Sequence, residues 1–191
     1  LKTFIAIQMP DAVKLALSSA VRQIGQADIR GVRTVRPDGI HLTLKFLGDI
    51  EAGRVAEVSE AIDRATAGLD PFDLGLGKAG VFPNWRSPRV LWIGLDGDLE
   101  ALGRLHEAVE REIVALGLEA DNRAYQPHLT LGRVRDNATS EGKRRASEVL
   151  SGLKIPAGPR IHGNHASLMR TTFTQRGAVH DALFSASLRG N

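Results

Sequence analysis

His41-Leu42-Thr43-Leu44 occurs twice in this chain, returning letter for letter as His128-Leu129-Thr130-Leu131. Either copy alone reads as an apolar strand that happens to carry two polar side chains. Two identical copies 87 residues apart (128 − 41), in a chain with six His, ask for a common purpose. In a strand, successive side chains point to opposite faces, so His41 and Thr43 share one face and Leu42 and Leu44 the other. The same holds for His128 and Thr130. Burying the Leu pairs leaves each His-Thr pair facing a cleft or solvent. If the two pairs face each other, one cleft holds two imidazoles and two hydroxyls, a set suited to acid-base chemistry on a phosphate.

The flanking sequence supplies the frame. Thr3 to Ile7 reads as a strand, followed by a helix that starts at Pro10-Asp11. Its stripe is Val13, Leu17, Val21 and Ile24, with Gly25 as its stop. Arg33 to Pro37 is extended, Asp38-Gly39 is a turn, and Ile40 to Leu47 is the first motif strand. A second helix covers Ala56 to Ala67. Phe72, Leu74 and Leu76 alternate with polar or small residues as a half-exposed strand, broken at Val81 to Asn84. Arg89 to Leu95 is nearly continuous apolar sequence and reads as a strand buried on both faces. Asp98 caps a third helix with the stripe Leu102, Leu105, Val109, Ile113 and Leu116. Tyr125-Gln126-Pro127 leads into the second motif strand, His128 to Val134, with Pro127 harmless at its first position. A polar helix around Glu141 to Leu150 and two strands, near Ile161 to Met169 and Ala182 to Leu188, close the chain. This order mixes hairpins with helices and favours an α+β fold with antiparallel sheets. No Pro/Gly/Ser-rich linker separates the halves, so residues 1–191 are expected to form one unit of two lobes.

Composition bounds the function. Hydrophobic residues at 42% and charged residues at 25% are ordinary for a soluble globular protein. The absence of Cys excludes disulfides, thiolate nucleophiles and Cys-ligated zinc, and fits a reducing, cytoplasmic setting. No apolar run is long enough for a membrane helix, and no membrane association is expected. A net charge of +3 permits a polyanionic partner without requiring one.

Other candidates are weaker. Gly75, Gly77, Lys78 and Gly80 suggest a phosphate loop, but Ala79 stands where Ser or Thr is required, and the stretch reads as a flexible strand end. His162 and His165 lack a neighbouring carboxylate or Cys and fall on opposite faces of a strand, so no metal site is expected. His106 reads as solvated, and His180 has no motif around it. Lys143-Arg144-Arg145 reads as a solvated basic face. Phe46 and Trp92 read as core. Tyr125, at the mouth of the second motif strand, could stack on a nucleobase. Arg133 falls on the Leu face by strict alternation, and a bulge near Gly132 is needed to return it to the cleft.

The set of residues resembles the 2H phosphoesterases. It is similar, more narrowly, to the bacterial and archaeal RNA 2′,3′-cyclic phosphodiesterases, also called 2′-5′ RNA ligases. The resemblance rests on four segments: Phe4 to Ile7; His41 to Gly48; Phe82-Pro83 with Pro88 to Trp92; and Pro127 to Arg133. Tyr125 also matches the aromatic that often stands two residues before the second Pro-His. Gly177-Ala178-Val179 lacks the Tyr that usually follows that Gly. The resemblance implies two pseudo-symmetric lobes whose antiparallel sheets line a groove, with helices outside. It implies hydrolysis of an RNA terminal 2′,3′-cyclic phosphate to a 2′-phosphate without metal or cofactor. His41 would be the general acid and His128 the general base, with Thr43, Thr130 and Arg133 holding the phosphate. The expected partners are RNA ends or small nucleotides carrying the cyclic phosphate, and the expected state is a monomer. Ligation at 2′-5′ junctions and non-catalytic binding of RNA ends stay open as alternatives.

Overall fold

The computed structural model describes residues 1–191. Nine strands and four helices run in the order β1 (Lys2–Gln8), α1 (Asp11–Gln26), β2 (Val32–Thr34), β3 (His41–Asp49), α2 (Val55–Thr66), β4 (Phe72–Phe82), β5 (Val90–Gly97), α3 (Leu99–Ala115), β6 (Leu129–Val134), α4 (Ser140–Ser151), β7 (Arg160–Gly163), β8 (His165–Thr174) and β9 (Gly177–Ser187). The strands form two sheets, ordered β3-β1-β8-β9 and β2-β6-β5-β4-β7. Every pairing within them is antiparallel. Helices α2 and α3 pack against each other and on the first sheet, while α1 and α4 pack on the second. The fold is α+β and two-lobed, as the mixture of hairpins and helices suggested.

Helix ends follow local chemistry. The Asp98 carboxylate accepts from the Ala101 amide at 2.9 Å to start α3, and the Thr139 hydroxyl accepts from the Gly142 amide at 3.0 Å to start α4. The stripe Val13, Leu17, Val21 and Ile24 of α1 is buried, but Gly25 lies inside the helix, which continues to Gln26. One contiguous apolar cluster joins Leu42 and Leu44 of the first sheet to Leu129, Leu131 and Ile93 of the second. The Leu pairs of both motifs are thus buried, which fixes the faces of their His and Thr partners.

Three expectations about strands need correction. The stretch Ile161 to Met169 is two strands rather than one: β7 belongs to the five-stranded sheet, β8 to the four-stranded sheet, and the chain crosses between them at Asn164. The glycine-rich Leu74–Gly80 segment is no flexible end, because β4 runs on to Phe82. Gly80 lies beneath the Trp92 indole, where a Cβ would come within 2.2 Å of the ring, so only glycine allows that ring to lie flat. Strand β5 is not buried on both faces. Leu91 and Ile93 are in the core, while Val90 and Trp92 are half-buried on the opposite face, beside Thr130 and Arg133.

Candidate active site

The two motif histidines stand at the entrances of the two motif strands, and each is held in the same way. His41 Nδ1 donates to the Gly39 carbonyl at 2.7 Å, and His128 Nδ1 donates to the Gln126 carbonyl at 2.8 Å. Both acceptors lie two residues upstream. A carbonyl can only accept, so each ring carries its proton on Nδ1, and each Nε2 is left to take up or release a proton. The turn Pro37–Gly39 presents the first carbonyl, and Pro127 ends the segment that presents the second.

Each ring also has an aromatic seat. His41 stacks on Phe4 at 4.4 Å and lies nearly perpendicular to His180 at 5.0 Å. His128 meets Phe82 edge-on at 4.9 Å, with Trp92 at 6.1 Å. Burial in this apolar setting disfavours the imidazolium. It pushes His41 down to about 4, against the opposing pull of the Gly39 carbonyl, and the charges of His180 and His128 push the same way. Burial also lowers His128, with the Gln126 carbonyl opposing and Arg133 adding to the depression. The charge of His128 thus reaches His41, and that of Arg133 reaches His128.

Thr43 pairs with Ala6 on β1, and Thr130 pairs with Trp92 on β5. Each shares the face of its histidine. Arg133 reaches that face by a bulge. Trp92 pairs with Thr130 and Leu91 with Gly132, so Leu131 is an extra residue, and Arg133 falls opposite Val90 on the Thr130 side. Arg33, directly across on β2, gives Arg133 a second cation as neighbour. Like charges side by side on a sheet repel, and an anion between them relieves the repulsion.

The first motif strand has the matching irregularity, which sequence alternation did not show. Ala6 pairs with Thr43 and Ile5 with Lys45, so Leu44 is the extra residue. Lys45 is turned into the core, 5% exposed, where Nζ meets the Glu110 carboxylate at 2.7 Å and the Glu119 carbonyl at 2.9 Å. Phe46 is turned out and is 66% exposed. Its assignment to the core is therefore corrected.

Tyr125 is placed as a strut between the motif strands. Its hydroxyl donates to the Thr43 carbonyl at 3.0 Å, and its ring stacks flat on His106 at 3.9 Å. One ring face is thereby taken by the protein, and His106 is half-buried rather than solvated. The same region is tied again by Glu110, which accepts from the Asp121 amide at 2.8 Å as well as from Lys45.

His180 is the site neighbour that carried no sequence signal. It sits on β9, its Nδ1 3.1 Å from the Thr171 hydroxyl, with its ring nearly perpendicular to both Phe4 and His41. Its neighbours come from β1, β3 and β8, so only the sheet order brings it there. His162 pairs with Asp73, and His165 accepts from the amide of Gln8, the register partner of His41, at 3.2 Å.

A two-lobed α+β fold with paired His-x-Thr strands defines a class of phosphoesterase, and the sequence belongs to it: the LigT-like phosphoesterase family model matches residues 7–92 and again residues 93–179, so the chain is a member of that family. Each match contains one of the two motifs. Among curated relatives, the RNA 2′,3′-cyclic phosphodiesterase of Methanothermobacter thermautotrophicus is 28% identical and is covered over 94% of both chains. That of Archaeoglobus fulgidus is 32% identical over 71% of this chain and 73% of the relative. Among solved structures, TT0787 of Thermus thermophilus superposes with a TM-score of 0.78 at 26% identity over the whole of both chains. Escherichia coli LigT complexed with 3′-AMP shares the fold, with a TM-score of 0.73 at 24% identity over 98% and 97% of the two chains.

Proposed function

We propose that this protein opens the 2′,3′-cyclic phosphate at an RNA end or on a small nucleotide, leaving a 2′-phosphate, with His41 and His128 as the proton-transfer pair. The observation that carries the reading is the matched pair of pinned imidazoles. Each has Nδ1 locked on a carbonyl and Nε2 free, and the charge of His128 reaches His41. Opening a cyclic phosphate in line needs a base for the attacking water and an acid for the departing 3′ oxygen. It also needs donors for the non-bridging oxygens, which Thr43, Thr130 and Arg133 supply. The relatives named RNA 2′,3′-cyclic phosphodiesterase point to the same substrate.

His41 is assigned as the acid and His128 as the base, as the family resemblance implies. In the ligand-free protein His41, depressed to about 4, is mostly neutral at pH 7. That balance alone favours a base, so the acid role depends on the phosphate's negative charge raising His41 when substrate is bound. No metal takes part in the proposal, because Nε2 of each histidine serves as proton carrier and no carboxylate converges on either ring. The two lobes act as one unit, with the site formed between the motif strands.

The test is incubation of the protein with an oligoribonucleotide ending in a 2′,3′-cyclic phosphate, with the product isomer identified. A 2′-phosphate is the expected product. Tight binding of that end with no turnover would instead make the protein an RNA-end binder.

A further inference from the structure

His180 touches His41 although their strands are not neighbours. In the order β3-β1-β8-β9, β9 is the far edge of the first sheet, three strand spacings from β3. Laid flat, that is about 14 Å, at about 4.8 Å for each spacing. The two rings are nevertheless 5.0 Å apart, so the sheet curls until its edge closes on the first motif strand. Phe4 completes a triangle of rings, 4.4 Å from His41 and 5.2 Å from His180. His180 also lies against Gly39, whose carbonyl orients His41: a Cβ at Gly39 would meet the His180 ring at 3.6 Å, an ordinary contact. On β8 the register partner Thr171 anchors the ring, with its hydroxyl 3.1 Å from Nδ1. His180 thus touches the His41 ring, the ring it stacks on and the residue that holds its proton.

We propose that His180 is a positioning residue for His41: it holds that imidazole against Phe4 and allows the pair of rings only one proton. This rests on the reading of His41 as a proton carrier and adds the group that controls when it carries one. Few charges face the His180 ring. His41 comes from β3, and Asp181 stands next to it on β9 with its carboxylate turned to Arg170 of β8 at 3.1 Å. Phe4 from β1, Thr171 from β8 and Gly39 from the turn before β3 carry none. Two imidazolium rings at 5.0 Å repel, and both rings are partly withdrawn from water, so the second proton is harder to add than the first. Burial lowers His180 as it lowers His41, and a charge on His180 lowers His41 further. His41 serves as acid only while the shared proton is on its own ring. A phosphate bound beside His41 draws the proton there and leaves His180 neutral.

The experiment reads the two titrations directly, by NMR of the imidazole nitrogens in wild type, His180→Gln and His41→Asn. Removing either histidine should raise the midpoint of the other by roughly 0.5 to 1 pH unit. The two shifts should be equal, because coupling between sites is reciprocal. Rates on adenosine 2′,3′-cyclic phosphate read the catalytic side. His180→Gln should move the acid limb of kcat/KM to higher pH by the same interval. His180→Ala leaves the His41 ring unsupported and should lower kcat by roughly 10- to 100-fold with KM little changed. His180→Phe puts a ring back beside Phe4 and His41 and should restore most of kcat. Midpoints that do not move, a rate loss equal at every pH, or an unchanged kcat in His180→Ala would overturn the proposal and leave the phosphodiesterase standing. Reciprocal shifts in a protein that hydrolyses no cyclic phosphate would uphold the shared proton and remove the phosphodiesterase.

Discussion

Tyr125 donates its hydroxyl to the carbonyl of Thr43 at 3.0 Å, joining the segment that carries His128 to the strand that carries His41. Burial raises the phenol's pKa further, so the donor stays protonated across the working range. Tyr125→Phe should keep the stack on His106 and lose the hydrogen bond, at a cost of about 0.5–1.5 kcal/mol. At roughly 2–4 °C per kcal/mol for a domain of this size, calorimetry should show a Tm lowered by a few degrees. An unchanged Tm would remove the strut.

A larger effect is expected at Lys45. Its ammonium is buried against the Glu110 carboxylate and the Glu119 carbonyl. Lys45→Ala strands that carboxylate, and breaking a buried pair from one side costs about 3–5 kcal/mol. Lys45→Met combined with Glu110→Leu should be closer to wild type in a urea melt, because neither charge is then left alone. Glu110 is one-fifth exposed, which puts the single-variant loss at the lower end.

Acid should destabilise the protein in a defined window. His41 is held near 4 in the folded state and titrates near 6.5 when unfolded. Between those values the unfolded chain binds the extra proton, so stability is complete above about pH 6.5 and falls as pH drops toward 4. The His41 contribution is roughly 2–4 kcal/mol, with about 1.4 kcal/mol for each pKa unit. His106, His128, His165 and His180 are lowered too, and add in the same direction. Denaturant melts of wild type and His41→Asn between pH 7 and pH 4 should diverge from each other. Parallel pH profiles would contradict the buried neutral imidazole.

The same depression sets the pH dependence of the reaction. On the proposed mechanism the free enzyme is active with one histidine protonated and the other neutral, whichever has which role. With both lowered, the bell in kcat/KM should centre below pH 6.5, while kcat, measured with the phosphate bound, should peak at higher pH. A substrate whose leaving group needs no proton separates the roles. His41→Ala should then be nearly as fast as wild type, and His128→Ala should remain slow. Equal defects would remove the acid-base assignment and keep the phosphodiesterase.

Much of the site could be read from the sequence because both motifs obey the two-residue period of a strand. Buried Leu pairs fix the His and Thr faces with no further information. Arg133 was recoverable because Gly132 marks a place where a strand can bulge. Phe46 was not, although it occupies the equivalent position. Lys45 replaces the glycine there, and alternation then puts Lys45 beside Thr43 and Phe46 in the core, the reverse of what is found. A lysine tolerated inside the sheet needs Glu110, 65 residues away, and no local pattern announces that partner. His180 was hidden for the same reason. The sheet order β3-β1-β8-β9 takes strands from both ends of the chain, so the lobes are not the two halves of the sequence.

The central claim is that two histidines open the cyclic phosphate without metal, and its most direct test is one set of rates measured in EDTA. The substrate is an RNA end carrying a 2′,3′-cyclic phosphate; the proteins are wild type, His41→Ala, His128→Ala, the double variant, Thr43→Ala and Thr130→Ala. Wild type should keep full activity. Each single His variant should lose roughly 10²- to 10⁴-fold, the usual worth of a positioned proton transfer. The double variant should lose little more than the worse single, because both groups serve one displacement. Each Thr variant should lose about 10- to 100-fold, near one transition-state hydrogen bond to a charged oxygen. Activity abolished by EDTA and restored by a divalent ion, or a His41 or His128 variant at near wild-type rate, would contradict the account.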